Sequence, residues 1–456
     1  MSTAPTDAPD VAPRPRGGTL LGGSVMRFVA DGSGMLLGTI TSIVTARVLG
    51  PAGKGTLAAL TFVTVLVIQC CTLGLGDAAV VRIGQAKATA QQALSASLVA
   101  VCLAALAGAG IVLLYSVAQL PVGDPLIREA VAVACLTVVV ATVGQLLVAM
   151  VYARQRVVAV SVLTIAMSAA GTVAAVVLVA VFDLGVFGGA LAGLLAAAVG
   201  FAAAWTMLAR ERLTLRPRAS SAYLRPALSF GVRTQLANVL AYSSARVDLL
   251  FVYALASEHE AGLYSVALTL GTVTGFVAIA LSYASFPRMA GMSDREALDL
   301  TAAMARLAVL LGVALAVGLA AVLSTLIAVL LGTAYAGALA PSIILLAANV
   351  LWGLQWLLSR ALAARGDPDL LVRSFAVNLV AMLAADAVLI PIAGAVGAAI
   401  GALVGPAAGV AVCVRAYRAR GVSAAGFVPR RGDLATLRDI AARIGRAAAR
   451  LPRLGR

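Results

Sequence analysis

Charge is scarce in this chain. Only 12% of its 456 residues are Asp, Glu, Lys or Arg, against roughly a quarter in an ordinary soluble domain. That scarcity excludes a large water-facing surface. Histidine is almost missing, with His259 alone, so a histidine-built zinc centre is excluded. The five cysteines (Cys70, Cys71, Cys102, Cys135, Cys413) lie in apolar runs without CxxC spacing, which speaks against both metal ligation and a disulfide framework. No Gly-rich phosphate loop, Walker motif or Ser-His-Asp layout occurs, so neither ATP hydrolysis nor an enzymatic role is expected, and no cofactor is implied.

What is abundant is apolar. Hydrophobic residues make up 62% of the chain and its mean hydropathy is +1.02. Runs long enough to span a bilayer lie near 24–47, 56–81, 93–117, 129–152, 158–182 and 186–209. A second set lies near 226–252, 262–285, 302–331, 339–363, 370–391 and 395–417. In lipid each backbone group must find its partner within the segment, so these runs are helices. The expected fold is an all-α polytopic membrane protein of about twelve transmembrane helices. The ninth run is long enough to require a tilt or a structured turn around Gly332-Thr-Ala-Tyr335.

The net charge of +15 invites a nucleic-acid reading, but its distribution removes it. With the N-terminus inside, 27 of the 34 basic residues fall on one side, in loops and tails. Only Arg47, Lys54 and Arg128 fall in loops on the other side, and Arg27, Arg233, Arg246 and Arg360 lie within spans. This is the asymmetry that orients membrane proteins, so both ends are expected in the cytoplasm and no nucleic acid is a partner.

The two sets of six runs look like repeats. Gly55 to Leu60 aligns with Gly262 to Ala267, and Gly185-Val-Phe-Gly-Gly-Ala190 aligns with Gly394-Ala-Val-Gly-Ala-Ala399. Parallel repeats of this kind are related by an axis along the membrane normal and leave a cleft between lobes. The expected division is a disordered tail at 1–18, an N-terminal lobe at 19–209, and a cytoplasmic linker at 210–225. A C-terminal lobe at 226–417 and a basic tail at 418–456 complete it. In that tail Leu434, Leu437, Ala441, Ile444, Ala448 and Leu451 recur at helical spacing among arginines, as in an interfacial helix on anionic lipids; a plain basic tail fits equally.

Arg47-Val-Leu-Gly-Pro51, Gly55 and Gly74-Leu-Gly76 resemble the first hairpin of bacterial polysaccharide exporters and O-antigen flippases. These belong to the multidrug/oligosaccharidyl-lipid/polysaccharide exporter superfamily. Asp248-Leu-Leu250, Ala261-Gly-Leu-Tyr-Ser-Val-Ala267, Phe286-Pro-Arg288, Leu330-Leu-Gly332 with Tyr335, and Pro391 with Gly394 follow in that family's order. The resemblance covers about residues 20 to 418. It implies twelve helices in two lobes, alternating access, and an undecaprenyl-pyrophosphate-linked oligosaccharide as cargo in the bacterial cytoplasmic membrane. Glycosyltransferases and a polysaccharide polymerase are the implied protein partners. The related lipid II flippases have two further helices, which this chain lacks.

A charge at mid-bilayer costs about 2.5–3.5 kcal/mol, so each one needs a reason. Arg27 and Asp31 share a face of the first helix, either as a cleft-lining pair or as an arginine reaching the headgroups. On the seventh, Gln235, Asn238, Tyr242 and Arg246 form a stripe about 80° wide at 100° per residue. On the tenth, Asn349, Trp352, Trp356 and Arg360 repeat the spacing. Tryptophan faces suit sugar rings and arginine forks suit pyrophosphate; packing and snorkelling are the plainer alternatives. These ten residues are the expected substrate contacts around a basic cavity. Asp248 and Asp386 are candidates for ion coupling, with a structural salt bridge as the plainer reading of each. The Glu258-His259-Glu260 cluster reads as a solvated turn. Two other functions compete: an ion-coupled drug or metabolite antiporter, and a non-transporting scaffold for polysaccharide synthesis.

Overall fold

The computed structural model describes residues 17–218, 220–289, 292–365 and 367–428, with side chains from 26 onward apart from 283–289 and 424. The expected N-terminal tail lies outside these residues up to position 16, its last two residues beginning the first helix, and the helical pattern from Leu434 lies outside them too.

Twelve membrane-length helices follow one another among the described residues. The run Gly17–Cys71 breaks at Gly50 (φ 66°, ψ 177°) into α1 (17–49) and α2 (51–71). After a turn at 72–74, α2 resumes as Leu75–Gly84. Then come α3 (Ala90–Gln119), α4 (Pro125–Ala153), α5 (Val157–Ala175, closing in a π-turn at Val176–Val181) and α6 (Gly185–Ala209). α7 comprises Ser221–Arg246 and Asp248–Leu255; α8 is Glu258–Met289 and α9 is Asp294–Leu330. A 3-10 turn at Thr333–Ala338, entered through Gly332 at φ 89°, leads into α10 (Leu339–Ala363). The last run, Pro368–Arg418, breaks at Gly394 (φ 52°) into α11 (368–393) and α12 (395–418). The chain is a multi-pass membrane protein.

Local chemistry sets the helix ends. Thr89 with Gln92 and Ser293 with Glu296 form capping boxes for α3 and α9. Asp124 and Asp367 cap α4 and α11, each followed by proline at the first helical position. The outward faces are apolar: Leu114 is 73% exposed and Ile392 77%, as lipid-facing side chains are.

The repeat is visible in the backbone. Gly185 (φ 56°) and Gly394 (φ 52°) enter α6 and α12, both at positive φ, which glycine adopts without a Cβ penalty. α1–α6 form one lobe and α7–α12 the other. At the seam α2 runs along α7, and α1 along α8. In the half remote from the arginine-rich loops, one core crosses the seam, joining Leu60, Phe62 and Val138 to Leu249, Tyr264 and Ile390. At the arginine-rich end the cores are separate. Leu75, Leu94, Leu147 and Leu208 pack with the first turns of α7, whereas Leu298, Leu358, Leu362 and Tyr417 pack among themselves. A shared apolar core thus joins the lobes at one end, whereas at the other the contacts across the seam are the first turns of α7 and the Phe28–Phe276 stack.

Three expectations change. Lys54 is no loop residue: α2 begins at Pro51, and Lys54 is 8% exposed with its Nζ donating to Thr45 Oγ1 at 2.8 Å. The Glu258-His259-Glu260 cluster is not merely a solvated turn, because Glu260 Oε2 accepts the Ala395 N–H at 2.9 Å and caps α12 where Gly394 frees its backbone. The linker ends earlier than 225, at the start of α7. It is fastened to the first lobe by Gln91, whose side chain bonds both the N–H and the C=O of Thr214 at 2.9 Å.

Candidate functional site

The α7 stripe meets α2 of the opposite lobe. Gln235 Nε2 donates to the Gln69 carbonyl at 2.5 Å, and Tyr242 stacks on Phe62 with centroids 5.5 Å apart. Gly231 abuts Gly74 so closely that a Cβ on either would meet backbone. Arg246, half-buried, makes no hydrogen bond or ion pair among the described residues, and lies within electrostatic reach of Tyr242, Asp248 and Tyr264.

A cavity of about 200 Å³ opens where α2 unwinds. The turn at 72–74, with Gly74 at φ 63°, interrupts the helix and offsets its continuation, leaving room between α2, α4 and α7. α2 contributes Gln69, Thr72 and Asp77, α4 contributes Thr142 and Gln145, and α7 contributes Gln235 and Asn238. The Asp77 and Gln145 side chains are exposed into it. Of these groups, the side chains of Gln69, Asp77, Gln145 and Asn238 form no hydrogen bond among the described residues. The arginines expected around a basic cavity do not line this one; its charged lining residue is Asp77. Gln69, Asp77 and Gln145 were not among the expected contacts. Their signal was single polar residues interrupting otherwise apolar runs, next to the Gly74-Leu-Gly76 break.

On α10 Trp352 stacks on Trp356 at 5.4 Å, Phe375 packs edge-on to Trp356, and the Arg360 guanidinium lies 4.1 Å from the Trp356 centroid. Arg360 is within electrostatic reach of Asp77, so the two lobes face each other here. Asn349 has another setting. It packs against Gly271 and Gly275 of α8 and donates to the Leu345 carbonyl at 2.9 Å, inside its own lobe. Arg27 and Asp31 form an ion pair at 3.0 Å beside the Phe28–Phe276 stack that joins α1 to α8.

Asp248 and Asp386 form no salt bridge among the described residues, which removes the plainer reading of both. Asp248 is fully buried; it accepts the Tyr264 hydroxyl and the Leu249 N–H, the latter at 2.8 Å. Asp386, also fully buried, has both carboxylate oxygens without a partner, and it packs against Gly401 of α12. The two carboxylates act on each other electrostatically. One tyrosine and two acids from α7, α8 and α11 thus meet inside the second lobe. No cluster of three or more His, Cys, Asp or Glu suited to a metal occurs among the described residues.

A family model described as polysaccharide biosynthesis protein matches residues 44–340. No curated protein matches the chain. Among solved structures it is similar to the lipid II flippase MurJ in an inward closed conformation, at 11% identity and a TM-score of 0.67, covering 86% of this chain and 87% of that one. It is also similar to an inward-facing multidrug resistance MATE family transporter of the MOP superfamily, at 17% identity and a TM-score of 0.61, covering 85% and 94%. A third is a MOP superfamily transporter from Pyrococcus furiosus, described by its reverse polarity of binding pocket, at 14% identity and a TM-score of 0.57, covering 88% and 95%. At these identities the likeness is one of fold.

Proposed function

The chain belongs to the polysaccharide biosynthesis protein family, and from that premise we propose that it flips a polyprenyl-pyrophosphate-linked oligosaccharide across the bacterial cytoplasmic membrane. The observation that carries the proposal is the polar cavity beside a seam whose shared apolar core lies at the end remote from the arginine-rich loops. A two-lobed body with such a seam can rock, exposing the cavity to each side in turn. The glycan headgroup would travel between the lobes while the polyprenyl tail stays in lipid. Nothing chemical happens to the cargo.

Orientation follows from the basic loops: the arginine-rich end faces the cytoplasm, with both termini there, and the shared core seals the outer side. Arg246 and Arg360 meet the pyrophosphate as the cargo passes, with Trp352 and Trp356 as ring platforms. Gln235, Asn238, Tyr242, Arg27 and Asp31 complete the candidate contacts. Asp248, bonded by Tyr264, and Asp386 would bind the coupling cation, since two buried carboxylates that act on each other are best served by a proton or sodium. The inside-negative potential favours outward movement of the anionic headgroup by about 2.3 kcal/mol per charge per 100 mV. Anionic lipids, glycosyltransferases and a polymerase are the partners this role requires.

Asp77 favours one competing reading, an antiporter of cationic drugs or metabolites, because a carboxylate in the cavity suits a cation. Reconstitution separates the two. Vesicles holding the purified protein are loaded with a fluorescent lipid-linked oligosaccharide and scored for leaflet exchange. Exchange above protein-free vesicles supports the flippase; none, with cation-driven efflux of a drug such as ethidium, supports the antiporter.

A further inference from the structure

The cavity between α2, α4 and α7 has the chemistry of a sugar-reading pocket, and we propose that it selects for a neutral ring and against an acidic one in the cargo glycan. The inference rests on the flippase reading but concerns a property that reading leaves open.

The argument begins with what the lining offers. The side chains of Gln69, Gln145 and Asn238 carry both donors and acceptors, and none is spent on a hydrogen bond among the described residues. Each amide presents an N–H and a C=O about as far apart as the two hydroxyls of a vicinal diol, so one side chain can bond both. Asp77 adds two acceptor oxygens, and hydrogen bonds to a charged acceptor are the stronger kind. A polyhydroxylated ring is the ligand that satisfies many such groups at once. The volume of about 200 Å³ is below the range typical of drug-sized sites and suits a single ring.

Charge supplies the selection. Among the lining residues Asp77 alone is charged, and the cavity is flanked by Val101 and Leu146. A uronic carboxylate entering it would approach a like charge, which is unfavourable. Arg360, stacked on Trp356, acts on Asp77 from outside the lining. Pocket and pyrophosphate contacts are thus of opposite polarity. The lipid-proximal anion goes to the arginines and the neutral ring to the amides.

The test uses the intact protein in nanodiscs and two probes, methyl glucoside and methyl glucuronide, followed by saturation-transfer NMR. The wild type should bind the glucoside about tenfold or more tightly than the glucuronide. Asp77→Asn should bring the two to within about twofold, and Asp77→Glu should restore the discrimination. Gln145→Ala should weaken the glucoside without changing the elution profile, since both side chains are exposed. Equal binding of the two probes by the wild type, or discrimination that survives Asp77→Asn, overturns the proposal. Leaflet exchange is scored separately on the same preparations. Exchange without discrimination sinks the pocket and leaves the flippase, whereas discrimination without exchange does the reverse.

Discussion

Gly55 of α2 and Gly262 of α8 lie against each other across the seam, and neither has room for a Cβ. One on Gly55 would run into the Glu258 carbonyl and the Gly262 nitrogen; one on Gly262 would run into the Pro51 carbonyl. These two glycines occupy the same position in the two repeats, so the pseudo-two-fold axis passes between them. Small residues let membrane helices approach this closely, and the approach is what seals the far end.

Gly262→Ala should therefore wedge that end open. Overpacking of this kind costs about 1–3 kcal/mol, a shift on the order of tenfold or more between closed and open populations. In a background lacking the native cysteines, a Tyr253→Cys reporter in the seam should be labelled faster by an impermeant maleimide from the outer side. Unchanged labelling would count against the seam as the gate.

Lys54 is a buried cation with a single hydrogen bond, to Thr45, and no acidic partner among the described residues. Holding an unpaired charge in an apolar setting is costly, and an apolar side chain of similar length removes that cost. Lys54→Met should leave the thermal unfolding midpoint in detergent unchanged or raised by a few degrees. A large fall would mean that Lys54 has a stabilising partner in the folded protein.

Asp386→Asn should uncouple transport from the driving ion. Leaflet exchange driven by an imposed proton or sodium gradient should fall to the level seen without a gradient, while the protein still elutes as the wild type does. Persistence of the gradient effect would remove Asp248 and Asp386 from the coupling role.

Arg246→Ala should reduce export at least tenfold with membrane abundance unchanged, because loss of a charged hydrogen-bond donor to an anion costs about 1.5–3 kcal/mol. Arg246→Lys should recover part of it, since a lysine keeps the charge but not the two-pronged geometry. Full export by the alanine variant would place Arg246 outside the cargo path.

Most of the architecture was legible before any coordinates. Apolar length announces a helix in lipid, so the twelve spans, the turn at Gly332–Tyr335 and the glycine match between 185 and 394 could all be read directly. The α7 stripe was also readable, because helical spacing is a local property. The register of one helix against another was not. Gln235 turned out to bond a carbonyl of α2 and Asn349 to sit among α8 glycines, since each depends on a neighbour far away in the chain. Gln69 and Asp77 share one run and Gln145 stands in another, and the break at 72–74 brings the three around one cavity.

The sequence by itself determined the solvent, the helices, the repeat and the family, because each is written in composition or in short-range order. Tertiary structure alone decided where the lobes touch, which charges are paired, and that the cavity carries a carboxylate instead of arginines. The physical reason is distance. Desolvation and hydrogen bonding act over a few ångströms, and groups brought within that range of one another here, such as Gln69 and Gln235, come from different helices.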